Sequence, residues 1–413
     1  MFTQRIGLIL MLLGAFPCLS QGKDYELPTS KTVEEAVDPE LRTGPHYRIE
    51  PPVQHDGYMH TYTVASDYGI FLARGDAMLR RLRRELTTIA DLRERYTAGV
   101  AAESAFKVLV EPVQTVGRLA LEPKDTVVGI PRGAYRLMES VIAGAMHDSG
   151  SYEDSYLKNL ARVSAYKRRF AAYYHVDVYS SNPMLQIELD RVGWASLVGY
   201  TSTFAIMLVP VPNPLPLALA SLNSVEVLNR ALEEYGPADL RMLNLRHLKA
   251  MGVREDMARK FLDHPFYSPR HQSVIVSCLD ALPTAKRRDR FVTVALNALS
   301  EDEALFYQQA AELLRAYNEQ VLPIAEITIL GRIALGRSKE RTLFFPAPVD
   351  EAIWMQKTEA LFDRLAKTLR PKKEQLRVDL WVTGRVSPRV RQELLNRGIV
   401  ARENMAQELA LAD

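Results

Sequence analysis

The chain lacks the short signatures that usually announce a chemistry. Neither G-x-x-x-x-G-K-[ST] nor G-x-G-x-x-G occurs, so no glycine-rich phosphate or dinucleotide cradle is expected. H-E-x-x-H, the EF-hand loop and C-x-x-C are absent as well; spacing therefore gives no metal site, and no cofactor is expected. The G-x-S-x-G nucleophile elbow is missing too. An excess of one charge is also lacking. The 52 Lys and Arg set against 50 Asp and Glu leave a formal +2, too little to draw nucleic acid. No repeat of fixed period occurs, so nothing in the sequence supports a solenoid.

Cysteine is scarce, with two in 413 residues. The first of them, Cys18, lies in a stretch that reads as a secretory signal peptide. Arg5 supplies the positive charge, Ile6 to Phe16 form an unbroken apolar run, and Pro17 breaks it ahead of the small Ser20 and Gly22. The run is shorter than the roughly 20 residues a spanning helix needs. Residues 1–22 are thus expected to be removed on export, which leaves Cys278 without an intramolecular partner. Its setting, VIVSCLDAL, is that of a small buried hydrophobe. Burial must then hold the fold. A hydrophobic fraction of 47% and a length suited to two or three domains allow it.

Residues 23–56 carry a proline or glycine every few positions and read as an irregular arm. A unit over 57–190 follows. Gly57 to Gly75, rich in Tyr, Thr, Val and Ile, reads as two strands joined by a turn. Asp76 to Arg95 then steps by three and four through Leu79, Leu82, Leu86 and Ile89, an amphipathic helix with Asp76 as its N-cap. Residues 100–150 read as short helices broken by Pro112, Pro123 and Pro131. Beyond a middle segment, 236–370 reads as a helical region. Residues 371–413 read as strand–helix–strand: RVDLWVTG, then Ser387 and Pro388 opening a helix that Gly398 closes, then IVARENM. This unit is expected to complete one small sheet with the strands of 57–75. The fold expected is α+β, predominantly α-helical.

The middle segment, 191–235, has no charge from Val192 to Val225. Its first 18 residues contain no proline and would make a helix of about 27 Å. Pro210, Pro212, Pro214 and Pro216 then alternate and block any helix, which resumes through LPLALASLNSVEVLNRALEEY. The pattern predicts an apolar helix–proline turn–helix hairpin. Trp194, Tyr200, Phe204, Ile206 and Leu208 are the residues that a membrane or partner would touch. Burial in the body is the competing reading, since Ser196 and Thr201 to Thr203 lower the apolar density.

Three looser groupings could carry chemistry. FLDHPFYSPRHQSVIVSCLD brings a nucleophile, imidazoles and a carboxylate close, with Asp263, His264, Ser268 and His271 as the catalytic candidates. DHPFYSP reads equally as a helix end, a turn and a Ser268 cap. His46, His55 and His60 stand at spacings of nine and five that match no ligand pattern. The helix after VTGRVSP offers free N–H groups to an anion, with Arg385 and Arg389 beside them. Two basic runs, Arg80 to Arg84 and Lys286 to Arg290, read as solvated faces. These readings imply an exported bacterial cell-envelope protein, periplasmic or envelope-associated and non-enzymatic, that binds a partner protein or lipid at or near a membrane surface. An exported hydrolase acting around Asp263–His271, or a membrane-inserting protein using 192–225, would be the alternatives.

Overall fold

The computed structural model describes residues 25–95, 153–197, 225–369, 377–409 and 411. The signal-like start, residues 96–152 and the charge-free stretch from 198 to 224 lie outside them. Among the described residues there are 13 helices and three sheets, a mixed α+β fold.

After a short helix α1 (Val33–Ala36), four strands pair antiparallel in chain order: β1 (Thr43–Gly44), β2 (Tyr47–His55), β3 (His60–Ser66) and β4 (Gly69–Arg74). Residues 47–55, expected to be irregular, thus form a nine-residue strand. Pro51 and Pro52 are tolerated because they sit, exposed, where the pairing with β3 shifts register between Glu50 and Gln54. Tyr47, Ile49, Val53, Tyr62 and Val64 point to the buried side. There they meet α2 (Asp76–Arg95), whose Leu79, Leu82, Leu86, Ile89 and Leu92 form the apolar stripe read from the sequence. Helices α3 (Glu153–Tyr173) and α4 (Pro183–Leu197) close this core with Phe170, Leu185, Leu189 and Val192.

Six helices form the body: α5 (Val225–Glu234), α6 (Pro237–Ala250), α7 (Glu255–Leu262), α8 (Pro269–Asp280), α9 (Asp289–Ala295) and α10 (Glu301–Gln320). No helix among the described residues is long and apolar enough to cross a membrane.

The C-terminal third departs from expectation. Within the span read as helical lie three strands, β5 (Ile324–Leu330), β6 (Ile333–Ser338) and β7 (Thr342–Ala347). They are followed by the two-residue β8 (Glu351–Ala352), and helix is limited there to α11 (Gln356–Leu369). Then come β9 (Arg377–Val382), β10 (Arg385–Val386), α12 (Pro388–Asn396), β11 (Ile399–Arg402) and α13 (Met405–Leu409). The five long strands make a mixed sheet in the order β11-β9-β7-β6-β5, and β8 pairs with β10 alone. The C-terminal strand–helix–strand unit therefore joins β7, not the N-terminal strands, which keep a sheet of their own. One face of the five-stranded sheet rests on α10, where Tyr317 stacks on Phe344 at 4.0 Å and meets Trp381. The other rests on α11 and α12 through Phe362, Leu365, Val390 and Leu394. Truncating Phe344 to Ala would cost about 3–5 kcal/mol.

The two sheets meet through a loop. The Tyr58 carbonyl accepts the N–H groups of Asp350 and Glu351, and the Gly57 carbonyl accepts that of Ile353.

Candidate functional site

At this junction the chain turns sharply. β4 ends at Arg74, Gly75 follows with a φ of +97° that is open to glycine and strained for other residues, and α2 begins directly with Asp76. A helix that starts so abruptly needs acceptors for its first N–H groups. The acceptor comes from far along the chain. Asp350, in the turn between β7 and β8, takes the Asp76 N–H on Oδ1 at 3.0 Å and the His60 N–H on Oδ2 at 2.8 Å. Asp76 is therefore not the N-cap the sequence suggested, and its own carboxylate is free for other work. Its Oδ1 accepts the Tyr62 hydroxyl and lies 3.2 Å from His60 Nδ1. The same Nδ1 is 3.0 Å from the Tyr62 hydroxyl and 3.9 Å from Asp350 Oδ2.

His60 is 1% exposed and Asp350 is buried, whereas Asp76 is half-buried. Asp76 and Asp350 line a cavity of about 30 Å³, together with Arg74, Arg80, Asp302 and Gln309. That volume holds about two waters or an ion and is far below what a small organic substrate fills. Burial, and then the charge of Asp76, push the Asp350 carboxyl up to about 7, against the pull of His60 and the two backbone N–H groups. Burial and Asp76 push the Tyr62 hydroxyl up as well, so it stays a donor. Among the described residues no lysine or arginine pairs with Asp76 or Asp350. Arg74 bridges Asp56 and Asp302, while Lys31 and Arg385 both hold Glu351. His60 Nε2 is buried and has no hydrogen-bond partner. Chemically, the cluster can take up a proton or a cation.

A second buried cluster lies one turn along α2. Arg81, 5% exposed, faces Glu85 at 3.1 Å, Glu301 at 3.1 Å and Asp177 at 3.6 Å. Burial works against its charge, but Glu301, Glu85 and Asp177 hold its pKa above the ordinary value. Ser180 and Asn182 also donate to Glu85, at 2.6 and 3.0 Å. The run Arg80 to Arg84 is thus not simply a solvated face. Nor is the second basic run. Arg287 pairs with Asp289, Arg288 donates to the Leu279 and Leu282 carbonyls, and Arg290 reaches Glu326.

The residues singled out from sequence mostly hold helix ends. Asp263 ends α7 and pairs with Arg241 at 2.9 Å. His264 Nδ1 accepts the Phe266 N–H, and its Nε2 lies 3.2 Å from the Leu296 carbonyl. Ser268 Oγ accepts the His271 N–H and His271 Nδ1 accepts the Ser268 N–H, a reciprocal cap on α8. Ser268 Oγ also donates to Asp177, at the rim of the Arg81 cluster. Arg385 donates to Glu351 and to the Glu35 carbonyl, and Arg389 pairs with Glu393, so both are held by protein acceptors. His46 meets Asp67 and His55 meets the Glu351 carbonyl, which leaves His60 as the one histidine of that run in the cluster. Cys278 is a free thiol that is buried and pushed up in pKa by its burial. Trp194 is half-buried in α4; Tyr200, Phe204, Ile206 and Leu208 lie outside the described residues. Asp350 was not legible as a site residue, because no spacing rule links positions 274 apart.

No protein-family model, curated protein or solved structure matches the chain.

Proposed function

We propose that the chain is an exported, non-enzymatic protein of the bacterial cell envelope that binds a partner protein along the open edge of its N-terminal sheet. The observation that carries this reading is β4. It pairs with β3 on one side and with no described strand on the other, and it presents Ile70, 71% exposed, and Leu72, 54% exposed. An apolar edge with unpaired backbone groups is a template for a further strand. In register across the sheet, Ile70 lies beside Ala65 and Arg48, and Leu72 beside Thr63 and Glu50. The face therefore grades from an apolar edge to a charged flank, the pattern of a contact centre and its rim. Backbone groups left unpaired at an edge cannot be met by hydrocarbon, which favours a protein over lipid. The signal-like start and the charge-free stretch of the sequence support the envelope part of the reading.

A photoreactive residue placed at position 72 is expected to give one discrete adduct in intact cells, lost on Ile70→Lys. The same probe at Met242, 57% exposed on the body, is expected to give none. Equal labelling from both positions, or flotation of the purified protein with anionic vesicles, would overturn the proposal.

A further inference from the structure

We propose that His60, Asp76 and Asp350 form a binding site for a divalent metal ion, Zn²⁺ or Mn²⁺, set in the junction between the two sheets. One ligand atom from each of the three residues lies within 4.8 Å of the others, close enough for modest side-chain shifts to bring all three onto one ion. The donor set of one imidazole nitrogen and two carboxylates suits a borderline dication better than Mg²⁺ or Ca²⁺, which prefer oxygen alone.

Charge balance supports the site independently. Two carboxylates, one of them buried, share a single imidazole, and no lysine or arginine among the described residues pairs with either. Buried charges of one sign are costly unless paired or placed on a metal. The ring of His60 gives a further sign. Its Nδ1 faces both carboxylates, 3.2 Å from Asp76 Oδ1 and 3.9 Å from Asp350 Oδ2. The Tyr62 hydroxyl on Asp76 would orient that ligand from outside, as outer-shell donors do in metal sites. The adjoining cavity, lined by Asp76 and Asp350, leaves room for one or two waters to complete the coordination.

The test uses the full mature chain, treated with chelator and titrated with Zn²⁺, with Mn²⁺ and with Co²⁺ as a spectroscopic probe. One ion per chain should bind saturably, and Co²⁺ should show the visible bands of a low-coordinate N,O site. Asp76→Asn keeps the shape and the acceptor for Tyr62, so it should fold and bind more than about 100-fold more weakly, beyond the effect of losing an outer-shell partner. Absence of saturable binding to the wild-type chain, or equal binding by Asp76→Asn, would overturn the proposal. Anomalous scattering from a zinc-soaked crystal needs no variant. A peak among the three side chains supports the site, and peaks only elsewhere refute it.

Discussion

Replacing Arg81 by methionine, which keeps much of its volume, should be among the most damaging single changes in the molecule. The guanidinium stands among Glu85, Asp177 and Glu301, with side-chain exposures of 6% for Arg81 and 5%, 3% and 14% for the three acids. Solvent cannot replace the lost cation there, so three carboxylates would face one another in a poorly hydrated space. Removing one partner of a buried ion pair typically costs about 3–5 kcal/mol, most of it from the charge left behind. For a chain of 413 residues that is a fall in Tm of about 4–6 °C. The control is Arg254→Met, whose pair with Asp256 has side chains 74% and 55% exposed and should contribute less than about 1 kcal/mol. Chemical denaturation measures both, and the slope m should be unchanged. Glu301→Gln supplies an internal check. In the native background it should destabilise, and in Arg81→Met it should restore stability, because it then removes a repulsive charge. A loss below about 1 kcal/mol for Arg81→Met, or no change of sign for Glu301→Gln, would mean the cluster is hydrated and the reasoning is wrong.

Gly384→Ala should destabilise by about 1–3 kcal/mol or more in the same assay. Its Cβ would lie 2.0 Å from the Asp350 carbonyl oxygen, a backbone atom that can yield only by moving the turn that carries Asp350. Ser268→Ala should lower stability by about 1 kcal/mol through loss of the α8 cap. Thermal unfolding with and without a hydrolysable ester panel separates that effect from a catalytic one. Cys278, 2% exposed, should resist a thiol reagent in the native protein and react promptly once denaturant is added, which absorbance reads directly.

The sequence was most legible where one face of an element meets water. α2 alternates between a leucine stripe and arginines, and β9–α12–β11 carries its own punctuation in Ser387, Pro388 and Gly398. It was least legible where both faces are covered. β7 is TLFFPA with five of its six residues buried, and such a strand offers no alternation to read. β2 was hidden for a different reason, since Pro51 and Pro52 look like breakers until a register shift accommodates them. Of the candidate site, His60 was noted but grouped with His46 and His55, its neighbours in sequence. Its partners in space are Asp76, read as a cap, and Asp350, not read at all. Long-range capping leaves no local trace.

That cap has a consequence for how the molecule can be divided. The first turn of α2 and the start of β3 draw an acceptor from a residue more than two-thirds of the way along the chain. A fragment ending before residue 350 would keep the entire N-terminal sheet and α2, yet leave two backbone N–H groups at their joint without an acceptor. The N-terminal sheet and the C-terminal third are therefore separate in their strands but joined in completion. Closing so long a loop is slow and adds only modestly to its entropy cost with length. Fragments cut before Asp350 should therefore fray at residues 58–79, with amide exchange there faster than in the intact chain.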